Sequence, residues 1–187
     1  MADTTMKEHI AEDLITSELQ RSGIYITKPK FDTDGTDLFA MLKIPSNTGN
    51  IIFKYCRIQC KYRSVEFGKK NIVEIPDQYI KPDFIVFLYV EDGDITKHQL
   101  FCFFWEDIKA KSSPWYLKGG NFILSIKMSN FKEILKKYVF DQTKVDEIKQ
   151  RIQTSSTVIE NIHIFAELIL PPLEANMNII STSDKVE

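Results

Sequence analysis

Apolar positions along the chain follow two spacings, one that suits helices and one that suits strands. Ala11, Leu14, Ile15 and Leu19 recur at intervals of three and four, which predicts a helix over residues 5–22. Thr5 followed by Glu8 reads as a capping box at its start, and Gly23 as its stop. Residues 24–27 form a short strand, and residues 37–44 and 51–63 two longer ones separated by the turn-forming stretch 45–50. The longer two pair as an antiparallel hairpin, and the length of the second predicts a bulge or bend. Residues 83–90 are almost unbroken apolar sequence, as expected of a strand covered on both faces. A turn at 91–94 leads to its partner strand over 97–105. Between these strands lie a polar, basic loop (64–71) and a stretch interrupted by Pro76, which predicts a short helix over 76–80.

The remainder turns helical. A short helix over 106–111 and a strand over 121–127 precede a helix capped by Ser129 that runs to Tyr138. Further helices are expected over 142–153 and 156–169, the last from the spacing of Val158, Ile159, Ile162, Phe165 and Ala166. Pro171-Pro172 stops it, and a loose tail follows. Composition changes this picture little. At 187 residues and 43% apolar, with thirteen Phe, the chain can fill one well-packed core, so disorder is expected only at the ends. Cys56, Cys60 and Cys102 are odd in number and lie in apolar runs, which suits buried free thiols in a reducing compartment. The first residues show no apolar signal region, and no run approaches the about 18 apolar residues of a membrane span. A cytoplasmic location without membrane contact is the expectation.

Chemistry enters at Arg57-Ile58-Gln59-Cys60-Lys61-Tyr62-Arg63. Alternation along a strand places Gln59 and Lys61 on one face, and Ile58, Cys60 and Tyr62 on the other. Pairing of the second and third strands brings Asp37 to the same place, and Glu12 joins if the first helix packs across the sheet. Such a group suits phosphodiester hydrolysis. Asp37 offers an anionic oxygen to Mg²⁺ or Mn²⁺, and Gln59 a neutral carbonyl oxygen. Lys61 can orient water or neutralise the transition state, and Glu12 can complete the metal shell. Net charge is −2, so no global positive field marks a polyanion partner. Locally, however, Lys54, Arg57, Lys61, Arg63, Lys69 and Lys70 face a single acid, Glu66, over residues 54–70. A basic loop beside the site could hold flanking phosphates. The three His and three Cys have no zinc spacing.

Helix-borne Glu12, then Gly35-Thr36-Asp37, then Ile58-Gln59-Cys60-Lys61 resembles the PD-(D/E)xK nuclease superfamily, and its Gln-x-Lys is most similar to Mrr-type and Holliday-junction-resolvase-like members. The resemblance covers about residues 5–105. It implies an α/β (α+β) fold: a restriction-endonuclease-like αβββαβ core with a mixed central sheet, here with additional C-terminal helices. The expected organisation is a nuclease-like domain over 1–128, a helical extension over 129–175 packed on the same domain, and a flexible tail over 176–187. By the same resemblance Asp37, Gln59, Lys61 and Glu12 would be catalytic, with Asp37, Gln59 and Glu12 on Mg²⁺ or Mn²⁺; Glu8 and Glu18 are rivals for the helix position. Arg57, Arg63, Lys69 and Lys70 are the expected contacts to DNA, double-stranded or branched, and a homodimer would supply one site per strand. The chain departs from the family pattern in lacking Pro before Asp37 and in carrying Gln59 for Glu. The expected activity is metal-dependent endonucleolytic hydrolysis of DNA. The alternative is a catalytically weak or inactive protein of the same fold that binds nucleic acid or protein.

Overall fold

The computed structural model describes residues 2–30, 34–45, 51–65, 70–92, 98–156 and 158–159. Helix α1 (Ala2–Arg21) leads into strands β1 (Tyr25–Thr27), β2 (Leu38–Pro45) and β3 (Ile51–Ser64). Then come β4 (Lys70–Pro76), a 3₁₀ turn at Asp77–Tyr79, β5 (Phe84–Glu91) and β6 (His98–Phe104). Helix α2 (Trp105–Lys109), strands β7 (Trp115–Lys118) and β8 (Asn121–Lys127), helices α3 (Phe131–Ile134) and α4 (Gln142–Thr154), and strand β9 (Val158–Ile159) complete the order. The principal sheet runs β1-β2-β3-β5-β6, with β9 added to β3; β4-β8-β7 make a second sheet. All neighbours are antiparallel except β3 and β5, which run parallel. The fold is therefore a mixed α/β architecture of the α+β kind.

Strand β5 is buried along its whole length because both its faces meet apolar layers. Phe84, Val86 and Leu88 join a core shared with β4, β8 and Trp115, while Ile85 and Phe87 join one shared with α1 and α4. Helix α1 buries Ala11, Ile15 and Leu19 and ends at Gly23, whose φ of 81° few side chains tolerate. There Gly23 N–H bonds to Gln20 O at 2.9 Å and Ile24 N–H to Leu19 O at 3.1 Å, a Schellman closure. Helix α4 is capped by Asp141, which accepts from Lys144 N–H at 3.1 Å. It buries Val145, Ile148 and Ile152 in the core that holds β2 and β3.

Several expectations need correction. The helix begins at Ala2, so Thr5 lies within it rather than at its start. No helix links β3 to β5 among the described residues; β4 and the 3₁₀ turn make that crossover where an αβββαβ core would have a helix. Asn130, rather than Ser129, precedes α3, which is a single turn. Val158 and Ile159 pair with Lys54 and Phe53 as a strand, because the open edge of β3 offers ladder bonds there. The rest of the helix expected over 156–169, the tail, and residues 93–94 of the expected turn lie outside the described residues. Among the described residues no helix is long and apolar enough to cross a membrane.

Ile148 is fully buried between α4 and the sheet. Ile148→Ala should cost about 2–5 kcal/mol in urea unfolding while keeping a single transition, because α4 belongs to the same core as β2 and β3.

Candidate active site

Strand β2 pairs with β3 only as far as Leu38 opposite Ile58. One residue earlier the two chains part. Asp37 N–H still donates to Ile58 O at 2.9 Å, but the next donor on β3, Cys60 N–H, is met by the Asp37 carboxylate at 2.6 Å. The side chain thus takes the place of a ladder acceptor and is held against β3 between Gln59 and Lys61. Hairpin pairing thus sets the Asp37 carboxylate against the backbone of β3 at Cys60.

Gln59 is buried at 6% exposure, and its Oε1 has no hydrogen-bond donor among the described residues. A buried carbonyl left so costs about 1–3 kcal/mol unless water or a cation meets it. Gly35 makes its close packing possible: a Cβ there would come 2.8 Å from Gln59 Nε2 and 2.9 Å from the Tyr79 ring. The φ of 65° at Gly35 adds a second reason for glycine. Tyr79 packs against the core between the two sheets, so Gln59 faces that side. Lys61, two residues on, points the same way. It is half-buried, and its ammonium has no hydrogen bond or ion pair among the described residues.

Glu12 approaches from the opposite face. Helix α1 packs on the side of β3 that bears Ile58 and Cys60. Glu12 pairs with Lys28 at 2.8 Å and lies 3.6 Å from His9 Nδ1. That pairing raises the Lys28 pKa. The charges of Asp37, Glu12, Lys61 and Lys28 all act on the Cys60 thiol, whose pKa is pushed up chiefly by burial. Glu12 therefore belongs to the neighbourhood of Asp37 and Lys61. It comes from the face of β3 that bears Ile58 and Cys60, opposite to the face of Gln59.

Among the described residues no three His, Cys, Asp or Glu side chains gather to hold a metal ion. The available oxygen donors are the Asp37 carboxylate and Gln59 Oε1. Both are hard ligands of the type Mg²⁺ and Mn²⁺ take alongside water, and the unsatisfied Gln59 oxygen fits that use.

Two of the residues expected to contact DNA also make contacts within the fold. Arg57 makes a forked pair with Asp83, at 2.7 and 3.1 Å, and lies over the Phe84 ring. Arg63 donates to Ile72 O at 2.9 Å and to Tyr62 O at 2.6 Å, and burial lowers its pKa. Both guanidinium groups thus have partners within the fold. Lys69 lies outside the described residues, and Lys70 opens β4.

Two features carry no local sequence signal because their partners are distant in the chain. One is Lys28, just after β1, which reaches Glu12. The other is a buried cluster in which Tyr62 O–H donates to Glu91, while Lys7 Nζ donates to Tyr62 Oη at 3.1 Å and Glu91 at 3.2 Å. These contacts raise the Lys7 pKa, first through Tyr62 and then Glu91, and tie the start of α1 to β3 and β5. Comparison of the sequence with protein-family models and with curated proteins gives no match.

Gly35→Ala should destabilise the chain by about 1–3 kcal/mol in thermal unfolding, since it adds both backbone strain and a clash with Gln59. Burial holds the Cys56 thiol up at about 12, against 9.0 for an ordinary thiol. The folded chain therefore keeps a proton that the unfolded chain loses from pH 9.0 upward. The stabilisation present below that pH should fade toward pH 12, seen as falling urea midpoints, and Cys56→Ser should flatten that decline.

Proposed function

We propose that the chain is a metal-dependent endonuclease that hydrolyses phosphodiester bonds of DNA, acting in the cytoplasm. One observation carries this reading: at the parting of β2 and β3, the Asp37 carboxylate is pinned to Cys60 N–H beside the buried, unsatisfied Gln59 Oε1. The resemblance to PD-(D/E)xK nucleases rests on these same residues. Asp37 and Gln59 would hold Mg²⁺ or Mn²⁺, which when bound stabilises charge on the phosphate and lowers the pKa of water. Lys61 presents an ammonium with no carboxylate to neutralise it among the described residues. That charge suits the anionic phosphate, and the amine can position the attacking water. Asp37, fixed to the backbone, keeps its oxygens from following the substrate, so little reorganisation is needed at the site. Glu12 is paired with Lys28 on the helix side of β3.

A second reading has its own support. The Glu12–Lys28 pair removes one acid from metal duty, and Gln59 is neutral, so the same fold could bind nucleic acid or protein without cutting. Titration with Mn²⁺ separates the two: heat of binding that disappears in Asp37→Asn favours the nuclease. DNA binding without metal binding favours the module.

Supplied with plasmid and branched DNA plus Mg²⁺ or Mn²⁺, the chain should nick or linearise them. Lys61→Ala should slow cutting by about 10²–10³-fold, and Asp37→Ala should abolish it. Cleavage that survives both changes would overturn the assignment.

A further inference from the structure

Tyr79 is the side chain that closes over Gln59, and it comes from a turn that is itself anchored. The 3₁₀ turn Asp77–Tyr79 lies between β4 and β5, on the crossover that leads from β3 to β5. Asp77 N–H donates to Gly120 O at 2.9 Å, in the turn between β7 and β8. The Asp77 carboxylate meets Lys109 Nζ of α2 at 3.0 Å. Ile80 N–H closes the turn on Asp77 O at 3.0 Å, and the Ile80 side chain is buried in the core that Tyr79 packs against. The backbone that carries Tyr79 is thus held from both ends.

Ring and amide meet over Gly35. Gln59 Nε2 is 2.8 Å, and Tyr79 Cδ2 and Cε2 are each 2.9 Å, from the point a Cβ would occupy there. Ring carbons offer no hydrogen-bond donor, so Tyr79 confines the carboxamide without satisfying its oxygen. Gln59 Oε1 accordingly has no donor among the described residues, although the residue is buried. The Tyr79 hydroxyl makes no hydrogen bond among them either, so the ring is the part that the packing uses. A carboxamide held by packing keeps both lone pairs of its oxygen for another partner. We infer that Tyr79 is a positioning residue whose ring holds Gln59 with Oε1 open to a divalent cation, an inference that rests on the nuclease reading. A neutral ligand fixed beforehand loses little rotamer freedom on binding, which is worth about tenfold in metal affinity.

Calorimetric titration of the metal-free chain with Mn²⁺ tests the inference, with thermal unfolding alongside to show that each variant folds. Tyr79→Ala should weaken Mn²⁺ binding about tenfold, whereas Tyr79→Phe, which keeps the ring, should bind as the unaltered chain does. Tyr79→Leu fills the core space without a flat ring and should lose affinity in the same direction. It serves as the measure if Tyr79→Ala does not fold. Because the ring acts through the amide, Tyr79→Ala should cost nothing further in the Gln59→Ala background. A lower unfolding temperature with Mn²⁺ affinity unmoved would mark a purely structural role and overturn the inference. So would an equal loss in both backgrounds, a Tyr79→Phe chain as weak as Tyr79→Ala, or no Mn²⁺ binding by the unaltered chain. In each of these cases cutting of plasmid DNA by the unaltered chain would keep the nuclease reading, and absence of cutting would overturn both.

Discussion

The carboxylate of Asp37 does the work of a missing strand. Strand β3 is fourteen residues long, and its partners change along it: β2 on one edge as far as Ile58, β5 on the other from Arg57 onward. Where β2 leaves, the ladder would end on a bare amide at Cys60, and Asp37 supplies the acceptor. An unmet buried amide is costly, so the bond also marks where the sheet stops being a core element and becomes a ledge. Gln59 and Lys61 stand on that ledge. Tyr79 and Gly35 close over the first, and the second keeps an uncompensated charge among the described residues.

Electrostatics around the ledge are arranged in two tiers. On the helix side, Lys28 neutralises Glu12, and Lys7 is drawn into the Tyr62–Glu91 pair. Both contacts fasten α1 to the sheet, one through each half of the helix. Glu91 is a buried carboxylate met by two donors, the condition under which such a charge is tolerated. On the other side, two guanidinium groups knit strands together. Arg57 bridges to the residue before β5, and Arg63 bridges to β4.

The principal strands and the placement of Asp37 against β3 were legible because each depends on short-range rules. Period-two alternation places Gln59 and Lys61 on one face, and hairpin pairing brings Asp37 to them. The continuous apolar run of β5 correctly announced burial on both faces. What failed depended on distant partners. Strand β4 carries an alternating pattern too short to distinguish from loop until β8 pairs with it. Val158 and Ile159 have helical spacing, yet the open edge of β3 recruits them as strand. The fate of Arg57 turned on Asp83, twenty-six residues away, which no local pattern reveals.

The alternation of β3 also ties two properties together that proteins often keep apart. Cys56, Ile58 and Cys60 fill one core, while Arg57, Gln59 and Lys61 belong to the other face. A one-residue insertion directly after Cys56 would turn Gln59 and Lys61 toward the face that Ile58 and Cys60 now fill. Length variation in this segment is thus closed to the chain even though point changes are not. Its evolution here can proceed by substitution in place, with the spacing between the aspartate-bearing turn and the lysine held constant by packing rather than by chemistry.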